Sequence, residues 1–411
     1  MSPKWALARY GMFAAMLASA GLPIYLHAPK VYVDEYGVDL AVLGYVLFGL
    51  RFIDFIQDPL LGWLVGRLDK ARPFAAMVGA SGLMLGMVCL FAVSPPITPI
   101  LWMGGCLVLL FTSYSFLSIL FYARGIGQAE SMGRNGHVRL AAWREIGALL
   151  GVTFASTAPT ILLTMGFAAP YAIFAAMFVV LGAIATILMN PVWPGDVEVR
   201  GTGFARLLRD PQTRRLLLVG LINAAPVAIT GTLFLFFVEY RLGNPDYAGP
   251  FLLAFFAAAA IGAGLFSAAA RRFGTVKMLG IGMALSIVTF SFAYTLETGD
   301  FAAFFAVCIA SGLALGADMA LLPALFAQRV ATISGNGGEA FGLWNFCAKL
   351  SFALGAMALP ALQAGGFQAG AENGPEALAQ LSLLYALVPC ILKLAALALL
   401  PTLTFAQRKP A

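Results

Sequence analysis

Three charged residues share one face of an otherwise apolar segment, RFIDFIQDPLLGW at residues 51–63. They are Arg51, Asp54 and Asp58, and Pro59 follows at once. At about 100° per residue in a helix, steps of three and seven place them within roughly 60° of one another. Two carboxylates one turn apart repel when both are ionised, so one keeps its proton or both share a cation. Either outcome is a coupling-ion site: a proton on one acid, or sodium held between the oxygens of Asp54 and Asp58. The plainer alternative is that Arg51 neutralises Asp54 while Asp58 belongs to a helix–turn motif. An ionisable group at mid-bilayer costs on the order of 2.5–3.5 kcal/mol, so it must face a partner, water or a ligand. The same demand falls on Arg144, Glu145, Asp318, Lys349 and Lys393, which also lie in apolar runs. Lys393, near the end of its run, is read as snorkelling along its own stem. Asp318 reads equally as a brace for a glycine-rich helix or as a functional group.

The elements that must carry these groups are membrane helices. Of 411 residues, 61% are hydrophobic and 11% charged, where a soluble domain carries about 25% charged. So much apolar surface implies lipid as solvent. Runs long enough to cross a bilayer fall near 10–28, 39–66, 74–94, 98–122, 138–165 and 168–190, then 214–238, 247–270, 277–296, 302–328, 337–365 and 378–402. The expected fold is all-α and integral to the membrane: twelve spans in two six-helix pseudo-symmetric halves, the major facilitator architecture. The expected domains are an N-terminal bundle at 1–190, a cytoplasmic connector at 191–212 and a C-terminal bundle at 213–411. The turn GWLVGRLDKARPF after the second run is echoed by GLFSAAARRFGTVK after the eighth. Ala18-Ser19-Ala20 resembles a signal-peptidase site, but the apolar run continues beyond it, so it reads as part of an uncleaved first span.

With both termini cytoplasmic, the cytoplasmic segments hold 19 of the 25 Lys and Arg residues and the opposite side holds 2, Lys30 and Arg241. That bias sets the orientation, in a plasma (inner) membrane. The net charge of +6 lies in short gaps between apolar runs rather than on one basic face, which excludes nucleic acid as a partner. The five cysteines lie in apolar runs without metal-ligand spacing. No Walker A sequence and no nucleophile–base pair is present, so neither ATP-driven transport nor an enzyme is expected, and no cofactor.

Arg51-x-x-Asp54-x-x-x-Asp58-Pro59-x-x-Gly62 resembles the second-span pattern of the glycoside–pentoside–hexuronide:cation symporters. Tyr10-Gly11 in span 1, Tyr114-Ser115 in span 4, Arg144 in span 5 and Lys349 in span 11 fall in the same order as that family's motifs. The resemblance implies that Asp54, Asp58 and Ser115 bind the cation, sodium or a proton. It implies that Lys349 and Arg51 balance their charge, and that Arg144 reaches the solute. Where sugar-carrying members place acids in spans 1 and 4, this chain has Ala18 and Ser118, so cation coupling carries over better than sugar specificity. Glu145 is a possible substitute acid, although adjacent helix positions diverge by about 100°. Candidate solute contacts are Tyr10, Ser118, Tyr122, Arg144, Glu145, Trp344 and Asn345, with Phe121 and Trp143 as further aromatic walls.

The function expected is secondary active transport: cation-coupled symport of a small solute by alternating access, by a protein acting as a monomer in the bilayer. The alternatives are a proton-driven exporter of an amphipathic compound and a transporter-fold assembly or sensor protein that moves nothing.

Overall fold

The computed structural model describes residues 3–21, 28, 31–32, 35–38, 40–68, 71–133, 135–194, 203–333, 337–368 and 372–400. Among them the chain is helical throughout, without strands. The long helices are α1 (Pro3–Ser19), α2 (Leu40–Val65), α3 (Arg72–Phe91), α4 (Pro99–Ser131), α5 (Gly136–Thr164), α6 (Pro170–Met189), α7 (Pro211–Phe236), α8 (Ala248–Phe273), α9 (Thr275–Ala293), α10 (Phe301–Ile333), α11 (Gly337–Ala356) and α12 (Pro375–Leu399). Nine of the described helices are long and apolar enough to cross a membrane, and α1, α2 and α11 occupy the other three expected spans. Proline stands in the first turn of α3, α4, α6, α7 and α12, where its missing N–H costs nothing.

The chain sorts into two compact units, Met1–Phe204 with Val330–Phe346, and Ala205–Arg329 with Cys347–Ala411. The first half of α11 thus groups with the N-terminal helices, where the sequence division at 213 assigned all of it to the second bundle.

In the first unit α1 lies directly on α5. A Cβ at Gly147 would stand 2.0 Å from the Gly11 carbonyl oxygen, and one at Gly151 2.1 Å from that of Ala15. Only glycine permits this approach, which is how apolar helices associate where no hydrophobic effect drives them together. Ser19 is fully buried at this seam and donates to the carbonyls of Ala15 (2.7 Å) and Gly151 (3.0 Å). At the end of α4, Arg124 donates to the carbonyls of Val192 (2.6 Å) and Pro194 (2.7 Å), fastening the chain that leaves α6.

In the second unit α8 and α10 approach in the same way, through Gly262, Gly312 and Gly316. A π turn, Phe237–Arg241, extends α7, and another, Leu383–Leu387, interrupts α12. They set Phe237 flat against Tyr385, ring centroids 4.2 Å apart. Lys393 does not snorkel. It is buried at 3% exposure and donates to Asn223 Oδ1 at 2.6 Å and to Asp318 Oδ2. Its position along α12 suggested a route to the interface, but its face of the helix points at α7 and α10, and a buried acid outcompetes distant water for the ammonium.

Candidate cation and solute site

The cation half of the site is built on α2 and α4. Asp58 is fully buried, and so is Ser115. A hydrogen bond from Thr112 Oγ1 to Gln57 Oε1 (2.9 Å) ties the two helices together beside them. Thr112 and Ser115 are one turn apart on α4, so the face that holds Gln57 also presents Ser115. Helix α2 runs on past Asp58-Pro59 to Val65. Pro59 stands inside the helix and has no N–H to give the carbonyl of Phe55. The side chains of Arg51 and Asp54 lie outside the described residues, although their helix backbone is described.

The first turns of α11 close over this part of α2. A Cβ at Gly342 would meet the Asp58 carbonyl oxygen at 2.9 Å and the Gly62 Cα at 3.0 Å, and one at Gly338 the Gly62 carbonyl oxygen at 2.8 Å. Sequence reading singled out Gly62 as part of a motif and missed the glycines that receive it. Lys349, farther along α11, is half-buried and belongs to the second unit.

The solute half is built on α1, α4, α5 and the start of α11. Arg144 and Glu145 are both buried, and Arg144 Nε donates to Glu145 Oε1 at 2.9 Å. Adjacent helix positions diverge by about 100°, but both side chains are long enough to turn back toward each other. The guanidinium also lies 3.8 Å over the Tyr122 ring, a favourable cation–π placement for a buried charge. The Tyr122 hydroxyl donates to Glu145 Oε1 at 3.4 Å. Tyr10 packs against Phe121 (5.0 Å between centroids), and Tyr122 against Phe341 (5.0 Å). Among the described residues, Arg144 Nη2 and the Tyr10 hydroxyl are buried without a hydrogen-bond partner. Buried polar groups are rarely left so, and these two are donors facing the same cluster.

Ser118 donates to the Ser115 carbonyl (3.0 Å) and accepts from Asn345 Nδ2 (2.8 Å). It therefore links α4 to α11 and joins the cation and solute halves by a single turn of helix. Trp344 is half-buried beside Asn345. Trp143, expected as a wall, is 45% exposed on the outer face of α5; its neighbour Arg144 takes the inward position, and one residue of helix turns the next side chain away.

Residues 8–405 match the family described as MFS/sugar transport protein. The inner membrane symporter YicJ of Escherichia coli (strain K12) is similar at 26% identity over 262 residues, 59% of this chain and 55% of that protein, so the match spans about half of that relative's length. A bacterial homologue of the iron transporter ferroportin, in an outward-facing state, superposes with a TM-score of 0.73 at 14% identity, over 95% of this chain and 99% of that one. The fucose:proton symporter FucP of E. coli superposes with a TM-score of 0.73 at 13% identity, over 98% and 99%. At such identities these structures speak for the fold alone, and that fold is the major facilitator fold.

Proposed function

As this chain belongs to the MFS/sugar transport protein family, of the glycoside–pentoside–hexuronide type, it is a membrane transporter, and we propose that it performs cation-coupled symport of a small solute by alternating access. The N-terminal bundle at 1–190 and the C-terminal bundle at 213–411 are its two halves, joined by a cytoplasmic connector at 191–212, in a plasma (inner) membrane. Asp54, Asp58 and Ser115 take the cation, sodium or a proton, with Arg51 and Lys349 balancing charge. Tyr10, Ser118, Tyr122, Arg144, Glu145, Trp344 and Asn345 take the solute.

The observation that supports this reading most is Asp58, a carboxylate buried completely in an apolar helix beside a second helix that offers hydroxyls at Thr112 and Ser115. A scaffold that moves nothing has no need to bear the cost of that burial. The name of the E. coli relative, an inner membrane symporter, points the same way. The unpartnered donors on Tyr10 and Arg144 favour a solute that brings acceptor atoms, such as hydroxyl, carbonyl or carboxylate oxygens.

The test is a solute screen in proteoliposomes under imposed sodium or proton gradients. With the solute found, Asp58→Asn is expected to lower gradient-driven uptake by roughly tenfold or more, the scale of a lost coupling free energy, while sparing solute binding. Uptake against a gradient equal to that of the parent would make Asp58 a structural group and overturn the assignment.

A further inference from the structure

The second unit holds a buried charge cluster in which the symport reading has no part. Asn223 of α7, Asp318 of α10 and Lys393 of α12 are 4%, 6% and 3% exposed. Asn223 is twelve residues into α7 and Asp318 seventeen into α10, about 18 Å and 26 Å along the helix axes at 1.5 Å per residue, and Lys393 reaches them from six residues before the end of α12. The Lys393 ammonium donates to Asn223 Oδ1 at 2.6 Å and to Asp318 Oδ2, while Asp318 Oδ1, also buried, has no hydrogen-bond partner among the described residues.

As a stability device the arrangement is a poor one. A buried ion pair is often no better than apolar residues of the same volume, and here it also strands a carboxylate oxygen. As a cation site it makes sense. A carboxylate and an amide oxygen converging on one point, with a second carboxylate oxygen to spare, are the hard donors that a small monovalent cation selects. What stands at that point is a monovalent cation carried on a side chain.

We propose that Asp318 and Asn223 form a monovalent-cation site in the C-terminal bundle that Lys393 fills permanently with its own ammonium. The bundle thereby keeps the charge balance of an ion-loaded state without taking an ion from solution. The site lies wholly within the second unit, so the proposal stands apart from the assignment of Asp58.

The test uses the full-length protein in detergent, in an Asp54→Asn, Asp58→Asn background that silences both span 2 acids. Thermal unfolding is compared in about 100 mM sodium chloride and the same concentration of choline chloride, since a ligand that binds only the folded state raises the midpoint. Four proteins are read: the background, and the background with Lys393→Met, with Asp318→Asn, and with both. Methionine ends one atom short of Nζ, so it fills the stem's space and vacates the cation's place. Lys393→Met is expected to gain a sodium-dependent rise of about 2–4 °C that the other three lack. If Lys393→Met responds no more than the double variant, there is no cation site and the proposal falls. It falls as well if the background already responds and Asp318→Asn abolishes the response, because the lysine would then not be filling the site. Should Lys393→Met fail to fold, Lys393→Leu carries the test. It too removes the ammonium and keeps an apolar side chain, and is expected to acquire a sodium response that Lys393→Leu with Asp318→Asn lacks; its absence overturns the proposal.

Discussion

The side chains of Arg144 and Glu145 show how much depends on contacts between single residues. Arg144 is buried with one guanidinium nitrogen unpartnered among the described residues, and its charge is held by Glu145 at 2.9 Å and the Tyr122 ring at 3.8 Å. Removing one member of such a pair leaves the other charge uncompensated, at a cost of about 3–5 kcal/mol, whereas removing both is far cheaper. Glu145→Gln is therefore expected to lower the unfolding midpoint in detergent sharply. Arg144→Gln with Glu145→Gln should recover most of that stability and still fail to bind solute. A double variant that binds solute as the parent does would reduce the pair to a structural brace. The types of these residues were legible in the sequence, since charge in an apolar run declares itself. Their partners were not. Asn345 and Ser118 are 227 positions apart, and Lys393 and Asn223 170 apart, so nothing local announces either bond. Lys393 misleads for a related reason: its distance from the helix end is visible in sequence, but the face of the helix it occupies in the bundle is not.

At the scale of elements, most spans could be placed from their apolar runs, but the π turns at Phe237–Arg241 and Leu383–Leu387 could not. They arise where tertiary packing of Phe237 on Tyr385 outweighs one regular turn of hydrogen bonds. The start of α7 shows a different device. Asp210 is its N-cap and accepts from the Thr213 amide (2.8 Å) and hydroxyl (2.7 Å), while Arg329 of α10 donates to it from Nε (3.0 Å) and Nη2. The Arg329 hydrogen bonds, with smaller help from Thr213, hold the Asp210 carboxyl down at about 2. An unfolded aspartate titrates near 3.9. A depressed carboxyl stabilises the fold fully above its unfolded value and loses that contribution as pH falls toward its folded one. The parent is thus expected to lose thermal stability between about pH 4 and pH 2 more steeply than Asp210→Asn, which keeps the cap and lacks the charge. At neutral pH, Asp210→Ala should cost about 1 kcal/mol through the lost cap. Identical acid profiles for parent and Asp210→Asn would show that the ion pair contributes nothing.

For the molecule as a whole, composition was enough to identify the solvent as lipid, and the count and order of apolar runs were enough to suggest the major facilitator fold, because each span must satisfy its backbone within one helix. The grouping of Val330–Phe346 with the N-terminal helices was less visible, because it runs through glycines whose partners are distant in sequence. Orientation is the property that sequence carries and helix packing does not, since it rests on where Lys and Arg fall. With 19 on one side and 2 on the other, both termini and the connector are expected in the cytoplasm. Two exposed positions report opposite sides. Leu208, in the short helix Gly203–Arg209 that precedes α7, is 43% exposed, and Thr298 is exposed in the turn between α9 and α10. The five native cysteines are buried or half-buried and are best replaced first, so that any label reports the introduced thiol. A membrane-impermeant maleimide applied to intact cells is expected to label Thr298→Cys and spare Leu208→Cys, and inverted vesicles should reverse the pattern. Labelling of Leu208→Cys from outside intact cells would place 19 basic residues on the translocated side, and the orientation assigned to the protein would be wrong.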